Sequence, residues 1–290
     1  MPFVQAGDVK LHYVEHGTGN NIVVFIHGYL ACVQWMDLIW PRLPKNLHVF
    51  AIDWRGCGDS EKPAPAKDFA NYSLEQHAKD MIAAIKALGI KKCGLANHST
   101  GGIIGTYMLV TEPGLFEKVF SLDPIGPRGL KAQGNDRAFF QAMKESRSYA
   151  FKALAVAAPA LFVKESLYPG AKVQFKEQTT QEQKDVFNLT VDKTRVLSDG
   201  IWFGTPYHLA REREDGSLAK QAFKIEQPHL VIWGEDDMII PRKDIEEIPQ
   251  ILPHCQLRIM KNFGHVLMIE NPDLYTQIFT DFFRSKIKLS

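Results

Sequence analysis

The sequence has almost no excess of charge of either sign. It contains 34 Lys and Arg against 33 Asp and Glu, a formal net charge of +1 over 290 residues, and no long run of basic residues. Proteins that bind nucleic acid or an anionic membrane surface electrostatically usually carry a basic patch or stripe. We therefore expect no nucleic-acid partner, and nothing in the composition points to a phosphate or a polymer as ligand.

Cysteine is also scarce, and its positions form no recognisable motif. The four cysteines lack C-x-x-C spacing and are Cys32, Cys57, Cys93 and Cys255. This arrangement indicates neither a structural zinc site nor a disulfide framework. We expect a reduced cytoplasmic protein without a metal site or a cofactor.

No apolar run is long enough to cross a bilayer. The most apolar longer stretch, residues 150–163, contains Lys152 and Pro159 and is shorter than the roughly 20 residues that a spanning helix needs. The first residues also lack the basic and apolar segments of a signal peptide. We expect no membrane partner, and the sequence leaves the oligomeric state open.

What the sequence does contain is a set of apolar runs without alternation. Such runs at residues 22–26, 48–52 and 229–233 are typical of parallel strands that are buried on both faces. Helical patterns separate them, and 45% of all residues are hydrophobic, which suits a large core. Alternating strands and helices predict an α/β fold with a mostly parallel sheet.

Several local patterns refine this prediction. Polar and apolar residues alternate over residues 9–14, and a turn at residues 17–20 follows, which predicts an edge hairpin. Residues 35–43 have helical spacing. Residues 73–88 form a further predicted helix, in which Ser73 and Gln76 suit a capping box and Gly89 suits the C-terminal stop.

The alternation of strand and helix patterns is interrupted once along the chain. Residues 126–223 contain several helical patterns but no convincing buried strand, whereas the alternation resumes after Pro228. We interpret residues 126–223 as an inserted helical cap, and residues 1–125 and 224–290 as the core domain.

Within the predicted cap, residues 137–144 and 148–163 have helical patterns, and residues 202–207 look like an aromatic-rich loop. Aromatic side chains between layers belong to the core more often than to a binding site. The candidates for the wall of a substrate pocket are Trp35, Trp202, Phe203 and Tyr207.

The most informative stretch, residues 92–102, contains Ser99. Here an apolar run stops at Ser99 and a helical pattern begins at once, so the hydroxyl would stand on a tight turn beside free N–H groups of the helix. Gly101 leaves room after the serine, whereas Asn97 occupies a position where such turns usually have glycine. We predict that Ser99 is a nucleophile, and that the Asn97 side chain bonds to a neighbouring loop or strains the turn.

A serine nucleophile needs a general base and a group that orients the base. Asp237 follows the strand pattern that ends at residue 233, and His265 follows the next one along the chain. Loops after the carboxyl ends of parallel strands meet at one edge of the sheet, so Ser99, Asp237 and His265 can converge. Asp123, which follows the strand after the Ser99 helix, is the alternative acid.

These pieces together resemble the α/β-hydrolase superfamily, and the resemblance covers nearly the whole chain. The architecture is similar to that of epoxide hydrolases and haloalkane dehalogenases, with a serine as nucleophile, and it implies a twisted sheet with helices on both faces. The matching segments are His27-Gly28, the D-x-R-G-x-G-x-S pattern of residues 53–60, the turn at Ser99, Gly234-x-x-Asp237, and Gly264-His265 followed by Glu270-Asn271-Pro272.

The resemblance implies a role for each site residue. Ser99 attacks, His265 acts as base and then as acid, and Asp237 orients the imidazole. The backbone N–H groups of Tyr29 and Thr100 form the oxyanion hole. We interpret two further histidines as structural: His98 beside the nucleophile, and His27, which stabilises the oxyanion loop. Arg55, Asp59 and Ser60 are expected to tie down a loop.

A histidine-activated serine suits attack on a carbonyl, whereas epoxide hydrolases and dehalogenases use an aspartate to attack carbon. The expected reaction is therefore hydrolysis of a carboxylic ester or lactone that has an apolar body. Carbon–carbon bond hydrolysis of a dienoic or diketone acid is the alternative, although its usual G-N-S-x-G turn is not matched. Ligand receptors, lyases and cofactor-free oxygenases share the fold and stay open as alternatives.

Overall fold

The computed structural model of the protein describes residues 2–131 and 136–284. Its core is one eight-stranded sheet with the spatial order β1-β2-β4-β3-β5-β6-β7-β8. All neighbouring strands from β4 to β8 are parallel, whereas β1 and β2 join the edge antiparallel. The strands are β1 Phe3–Ala6, β2 Val9–His16, β3 Asn21–Ile26, β4 Leu47–Ile52, β5 Cys93–His98, β6 Phe116–Leu122, β7 His229–Gly234 and β8 Cys255–Met260.

Helices cover both faces of this sheet, as strand β5 shows. Neighbouring residues of a strand point to opposite faces. A Cβ atom on Gly94 would lie 2.4 Å from the Phe283 ring, whereas Leu95 and Asn97 contact Gly105 on the other face. The α-helices are α1 Leu74–Ala87, α2 Thr100–Thr111, α3 Asp136–Glu145, α4 Arg147–Ala155, α5 Gln181–Thr194, α6 Thr205–Asp215, α7 Ala219–Ala222, α8 Arg242–Ile251, α9 Leu267–Glu270 and α10 Pro272–Arg284.

The predicted fold class is confirmed, because the buried apolar runs form the middle of the sheet. Every residue of β5 and β7 is buried, and the apolar residues Val23 to Ile26 of β3 pair with β4 on one side and β5 on the other. Ser73 caps α1 by accepting from the Gln76 backbone N–H at 3.1 Å, and the Gln76 side chain bonds to Asp80 at 2.9 Å.

Two predicted elements at the start of the chain are corrected. The edge hairpin is formed by β1 and β2 around Gly7, whereas residues 17–20 lead from β2 to β3, which lies beyond β4 in the sheet. The helical spacing of residues 35–43 corresponds to two short 3-10 helices, Val33–Met36 and Trp40–Arg42.

The connection between β6 and β7 contains α3 to α7, which agrees with its helical sequence patterns. Among its described residues, the β structure is an isolated bridge between Phe162 and Phe175. Two details differ from the prediction: the helix predicted over residues 148–163 ends at Ala155, and residues 200–204 form a π-helix that continues into α6. In the described part of the chain, no helix combines the length and apolarity that crossing a membrane requires.

Candidate active site

Ser99 stands between β5 and α2 in a backbone conformation that side chains rarely adopt, with φ 53° and ψ −122°. This strain is typical of a serine held on a sharp turn for function. Small residues allow the turn, because a Cβ atom on Gly101 would lie 2.5 Å from the Ile26 carbonyl oxygen, and one on Gly102 would lie 2.4 Å from Pro124. The structure thus gives Ser99 the local geometry that its sequence context predicts.

Asn97 behaves differently from both alternatives that the sequence suggested. It is a regular β5 residue that pairs with Ile26 and Ser121, and its φ is not positive. Its side chain is only 1% exposed, and neither amide atom has a hydrogen-bond partner among the described residues. It packs over Gly105 of α2. The expected bond to a neighbouring loop is therefore absent, and the strained residue of the turn is Ser99.

This arrangement gives a stability prediction. Leucine has the branching of asparagine but no polar atoms, so Asn97→Leu removes two buried polar groups without partners. We expect the free energy of unfolding to rise by about 1–3 kcal/mol in urea titrations. A fall of that size would show that the amide contributes stability. Asn97→Ala removes both the polar atoms and the volume of the side chain. Comparing it with Asn97→Leu separates the effect of the polar atoms from the effect of packing.

His265 and Asp237 form the hydrogen bond that an acid–base pair requires. The His265 Nδ1 atom donates to Asp237 Oδ2 at 2.8 Å, and both side chains are buried. The other carboxylate oxygen, Oδ1, accepts from the backbone N–H groups of Ile239 at 2.6 Å and Ile240 at 3.1 Å. Asp237 is thus fixed by its own loop, and the Nε2 atom of His265 is left to act on another group.

Asp123, the alternative acid, lies next to this pair but bonds elsewhere. Its Oδ1 accepts from the Gly234 N–H at 2.8 Å, and its fully buried Oδ2 has no partner among the described residues. Burial, with the negative charge of Asp237 adding to it, holds the pKa of Asp123 well above its ordinary value. Asp123 therefore favours its protonated form more than an exposed aspartate does, and Asp237 is the residue bonded to His265.

Asp123, Asp237 and His265 also have the donor types of a metal site. One donor atom from each lies within 4.8 Å of the other two. The two oxygens of Asp237 already accept hydrogen bonds from His265 and from the backbone, which accounts for the arrangement without an ion. The absence of a metal site stays a prediction.

Ser99 and His265 open into the same cavity, which has a volume of about 500 Å³. Its wall is mostly apolar and includes residues from α3, α4 and α6, such as Phe140, Leu154 and Leu209. Within the described residues, no hydrogen bond joins Ser99 to His265. Such contacts in unliganded sites are often long and tighten only with substrate.

The predicted aromatic wall is mostly elsewhere. Trp35 lines the cavity, but Trp202, Phe203 and Tyr207 are not among its lining residues. Tyr207 belongs to α6, and in place of the loop that the sequence predicts, residues 200–204 form a π-helix that contains Trp202 and Phe203. It buries Trp202 completely and places Phe203 beneath the Arg137 guanidinium.

The two predicted oxyanion donors are next to Ser99. Thr100 and Tyr29 both line the cavity. Thr100 is the first residue of α2, where backbone N–H groups have no acceptor within the helix. A Cβ atom on Gly28 would lie 2.8 Å from the Ser99 Cβ, so only glycine lets the residue 28–29 backbone approach so closely.

His27 supports this loop from behind, as the sequence suggested. Its Nδ1 donates to the Gly28 carbonyl at 2.8 Å, and its ring stacks on Trp54 at 4.8 Å. Asp53 lies against it at 3.5 Å. Burial alone would raise the pKa of Asp53, but the hydrogen bond from His12, the neighbouring His27 ring and the Val33 N–H outweigh it and hold that pKa below its ordinary range. A buried anion thus anchors the base of the loop.

His98 also has a structural contact. Its Nε2 donates to the carbonyl of His265 at 2.8 Å, and its ring packs on Trp35. Burial holds the pKa of His98 well below its ordinary value, so the ring is neutral. His98 lines the cavity wall and fixes the backbone of the histidine loop.

A second contact between a serine and a histidine lies inside the sheet. The Ser121 Oγ atom of β6 is 2.7 Å from the His229 Nε2 atom of β7. Both residues are buried, neither lines the 500 Å³ cavity, and burial lowers the pKa of His229 to about 3. There is no space for a substrate beside this pair, so we interpret it as a hydrogen bond within the core.

Glu270, for which the sequence pattern predicts no individual role, lies beside the histidine loop. Its side chain is 8% exposed and accepts from the backbone N–H groups of Ala160 at 2.8 Å and Gly264 at 2.7 Å. Burial raises the pKa of Glu270 to about 7, and the charge of Asp237 adds to this, while the two N–H donors act against it. Its sequence signal is the matching segment Glu270-Asn271-Pro272, which begins five residues after the histidine.

Comparison with known proteins adds an independent line of evidence. The family described as "alpha/beta hydrolase fold" matches residues 21–272. The uncharacterized hydrolase YugF of Bacillus subtilis is 26% identical, over 94% of each chain, and monoacylglycerol lipase abhd6-A of Xenopus laevis is 25% identical, over 98% of this chain and 82% of the lipase. An esterase from Exiguobacterium antarcticum has a similar structure, with a TM-score of 0.78 at 21% identity, over 98% of this chain and 99% of the esterase.

Proposed function

Since this chain belongs to the α/β-hydrolase family and is an α/β hydrolase, we propose that it cleaves a carboxylic ester or lactone through a serine-bound acyl-enzyme. The observation that carries the proposal is the 2.8 Å bond between His265 Nδ1 and Asp237 Oδ2, beside a strained Ser99 at the same cavity. This is the arrangement that nucleophile, base and orienting acid require.

The proposed reaction uses each group in turn. His265 Nε2 takes the proton of the Ser99 hydroxyl as its oxygen attacks the substrate carbonyl. The backbone N–H groups of Tyr29 and Thr100 donate to the resulting oxyanion, an interaction typically worth about 3–4 kcal/mol per donor. The imidazolium then protonates the leaving oxygen, and water attacks the acyl-enzyme with His265 again as base. Asp237 holds the imidazole and stabilises its positive charge throughout.

The cavity supports a substrate with an apolar body. Its polar lining residues include those around Ser99, whereas the walls from α3 and α4 are apolar. Burying apolar surface contributes about 25 cal/mol per Å² to binding before its costs. The name of the Xenopus relative, a monoacylglycerol lipase, supports an acyl ester. We assign residues 126–223 as the cap that closes this cavity over the substrate.

The test combines labelling with a substrate panel. Purified protein is expected to react stoichiometrically with a fluorophosphonate at Ser99. It is then offered p-nitrophenyl esters of increasing acyl length, lactones, and a dienoate that is cleaved at a carbon–carbon bond. We expect kcat/KM to rise with acyl length until the cavity is filled. A folded protein that is not labelled contradicts the proposal. If the dienoate is the only substrate that is cleaved, and its product masses show a broken carbon–carbon bond, the reaction is assigned to carbon–carbon hydrolysis.

A further inference from the structure

The loop that carries His265 is held by residues of the proposed cap. The His265 backbone N–H donates to the Ala157 carbonyl at 2.8 Å. A Cβ atom on Gly264 would lie 2.2 Å from the Pro159 ring and 2.9 Å from the Ala157 carbonyl oxygen, so the two segments are in direct contact. Ala157 also lines the cavity. Ala157 is therefore part of the cavity wall, and together with Pro159 it supports the loop that carries His265.

Glu270 joins these two segments through a single carboxylate. One oxygen, Oε1, accepts from Ala160 N–H at 2.8 Å, and the other, Oε2, accepts from Gly264 N–H at 2.7 Å. Hydrogen bonds to a charged acceptor are about twice as strong as neutral ones. Gln183 of α5 holds the end of α9 in turn, because its Nε2 donates to the Ile269 and Glu270 carbonyls at 2.8 and 3.1 Å.

We propose that Glu270 is a positioning residue, which sets the His265 loop in a fixed relation to residues 157–160, of which Ala157 lines the cavity. The inference rests on the proposed function. Glu270 does not line the cavity, so it acts on catalysis through His265 and not on the substrate. A displacement of about 1 Å in a catalytic group can cost roughly 100-fold in rate. The alignment of the imidazole thus depends on the seating of residues 157–160.

The chain offers a matched control in Glu212. This carboxylate is also buried, at 5% exposed, and also connects the segment between β6 and β7 to the core. It accepts from Tyr107 of α2 at 2.6 Å and from the Leu218 N–H at 2.7 Å. Glu212 has no hydrogen bond to residues 157–160 or to the histidine loop, and it does not line the cavity. Loss of Glu212 tests a structural link without touching His265.

The experiment compares kcat and KM for p-nitrophenyl butyrate at pH 8, where the Glu270 carboxylate is mostly ionised. Glu270→Gln keeps the size but turns an amide N–H₂ toward one of the two backbone donors, so kcat is expected to fall at least about tenfold, with KM within about threefold. Glu270→Asp keeps the charge but is too short to bridge both donors, and the same loss of kcat is expected. Glu212→Gln is expected to keep kcat within about threefold.

Hydrogen exchange gives a readout that is independent of turnover. The amides of Ala160 and Gly264 are expected to exchange faster in Glu270→Gln, while those of the buried strands β5 and β7 stay protected. Wild-type kcat in either Glu270 variant, or an equal loss in Glu212→Gln, overturns the inference and leaves the proposed function intact. If the wild-type protein hydrolyses no member of the panel, the proposed function fails. Unchanged hydrogen exchange at Ala160 and Gly264 in Glu270→Gln would separately refute the link that Glu270 forms between these two residues.

Discussion

Replacing Ser99 by alanine is expected to lower kcat by at least about 10⁴-fold and to abolish labelling by a fluorophosphonate. The reason is chemical, because the acyl-enzyme cannot form without the hydroxyl oxygen. Removing the nucleophile of such a triad costs about as much as removing all its members, since they act as a unit. The residual rate measures what the oxyanion donors and binding contribute without covalent catalysis.

The matched control is Ser121→Ala, which removes the other serine that contacts a histidine. Ser121 bonds to His229 within the sheet, away from the cavity. Its loss is expected to cost about 1–3 kcal/mol in the free energy of unfolding, because a buried ring nitrogen loses its partner, while kcat stays within about threefold. If Ser121→Ala abolishes labelling and Ser99→Ala does not, the nucleophile has been assigned to the wrong serine.

The sheet and the order of the site residues follow from local sequence patterns. Buried parallel strands require unbroken apolar runs, and such runs stand at residues 22–26, 48–52 and 229–233. Once these strands are parallel, the residues after their carboxyl ends share one edge. The contact of Asp237 with His265 could therefore be anticipated from topology alone.

Elements that depend on distant contacts could not be found in this way. Residues 200–204 have a glycine at each end and aromatic residues between them, which is typical of a loop. They are helical because Gly200 lies against the Tyr72 ring, where an added Cβ atom would approach to 2.3 Å, and because Gly204 lies against Phe69. Both contacts join parts of the chain more than 100 residues apart, so no local pattern reports them.

Buried polar groups were the other part that the sequence could not reveal. An asparagine before the serine turn predicts an unusual backbone conformation at that position, because asparagine tolerates positive φ better than most residues. Asn97 instead has an ordinary strand conformation. A glutamate near a chain turn looks solvated, whereas Glu270 is buried between two backbone donors. The raised pKa of Asp123 likewise depends first on its burial and then on the charge of Asp237, and only the folded chain sets both.

Asp237→Asn is expected to lower kcat by about 10⁴-fold, whereas Asp123→Asn is expected to change it by less than about tenfold. An asparagine at position 237 can offer its N–H₂ group to His265 Nδ1, which favours the tautomer with the proton on Nε2. That tautomer cannot accept the Ser99 proton, and the imidazolium also loses its neighbouring charge.

Asp123→Asn is expected to be tolerated, because burial holds the pKa of this carboxyl well above its ordinary value and so favours the neutral acid. Asparagine has the same shape and charge as a protonated aspartic acid, and its carbonyl oxygen can still accept from the Gly234 N–H. Measuring kcat at pH 7 for both variants decides the assignment, with thermal unfolding to show that each is folded. If Asp123→Asn abolishes turnover and Asp237→Asn does not, the orienting acid is Asp123, and the bond from His265 to Asp237 is not the one used in catalysis.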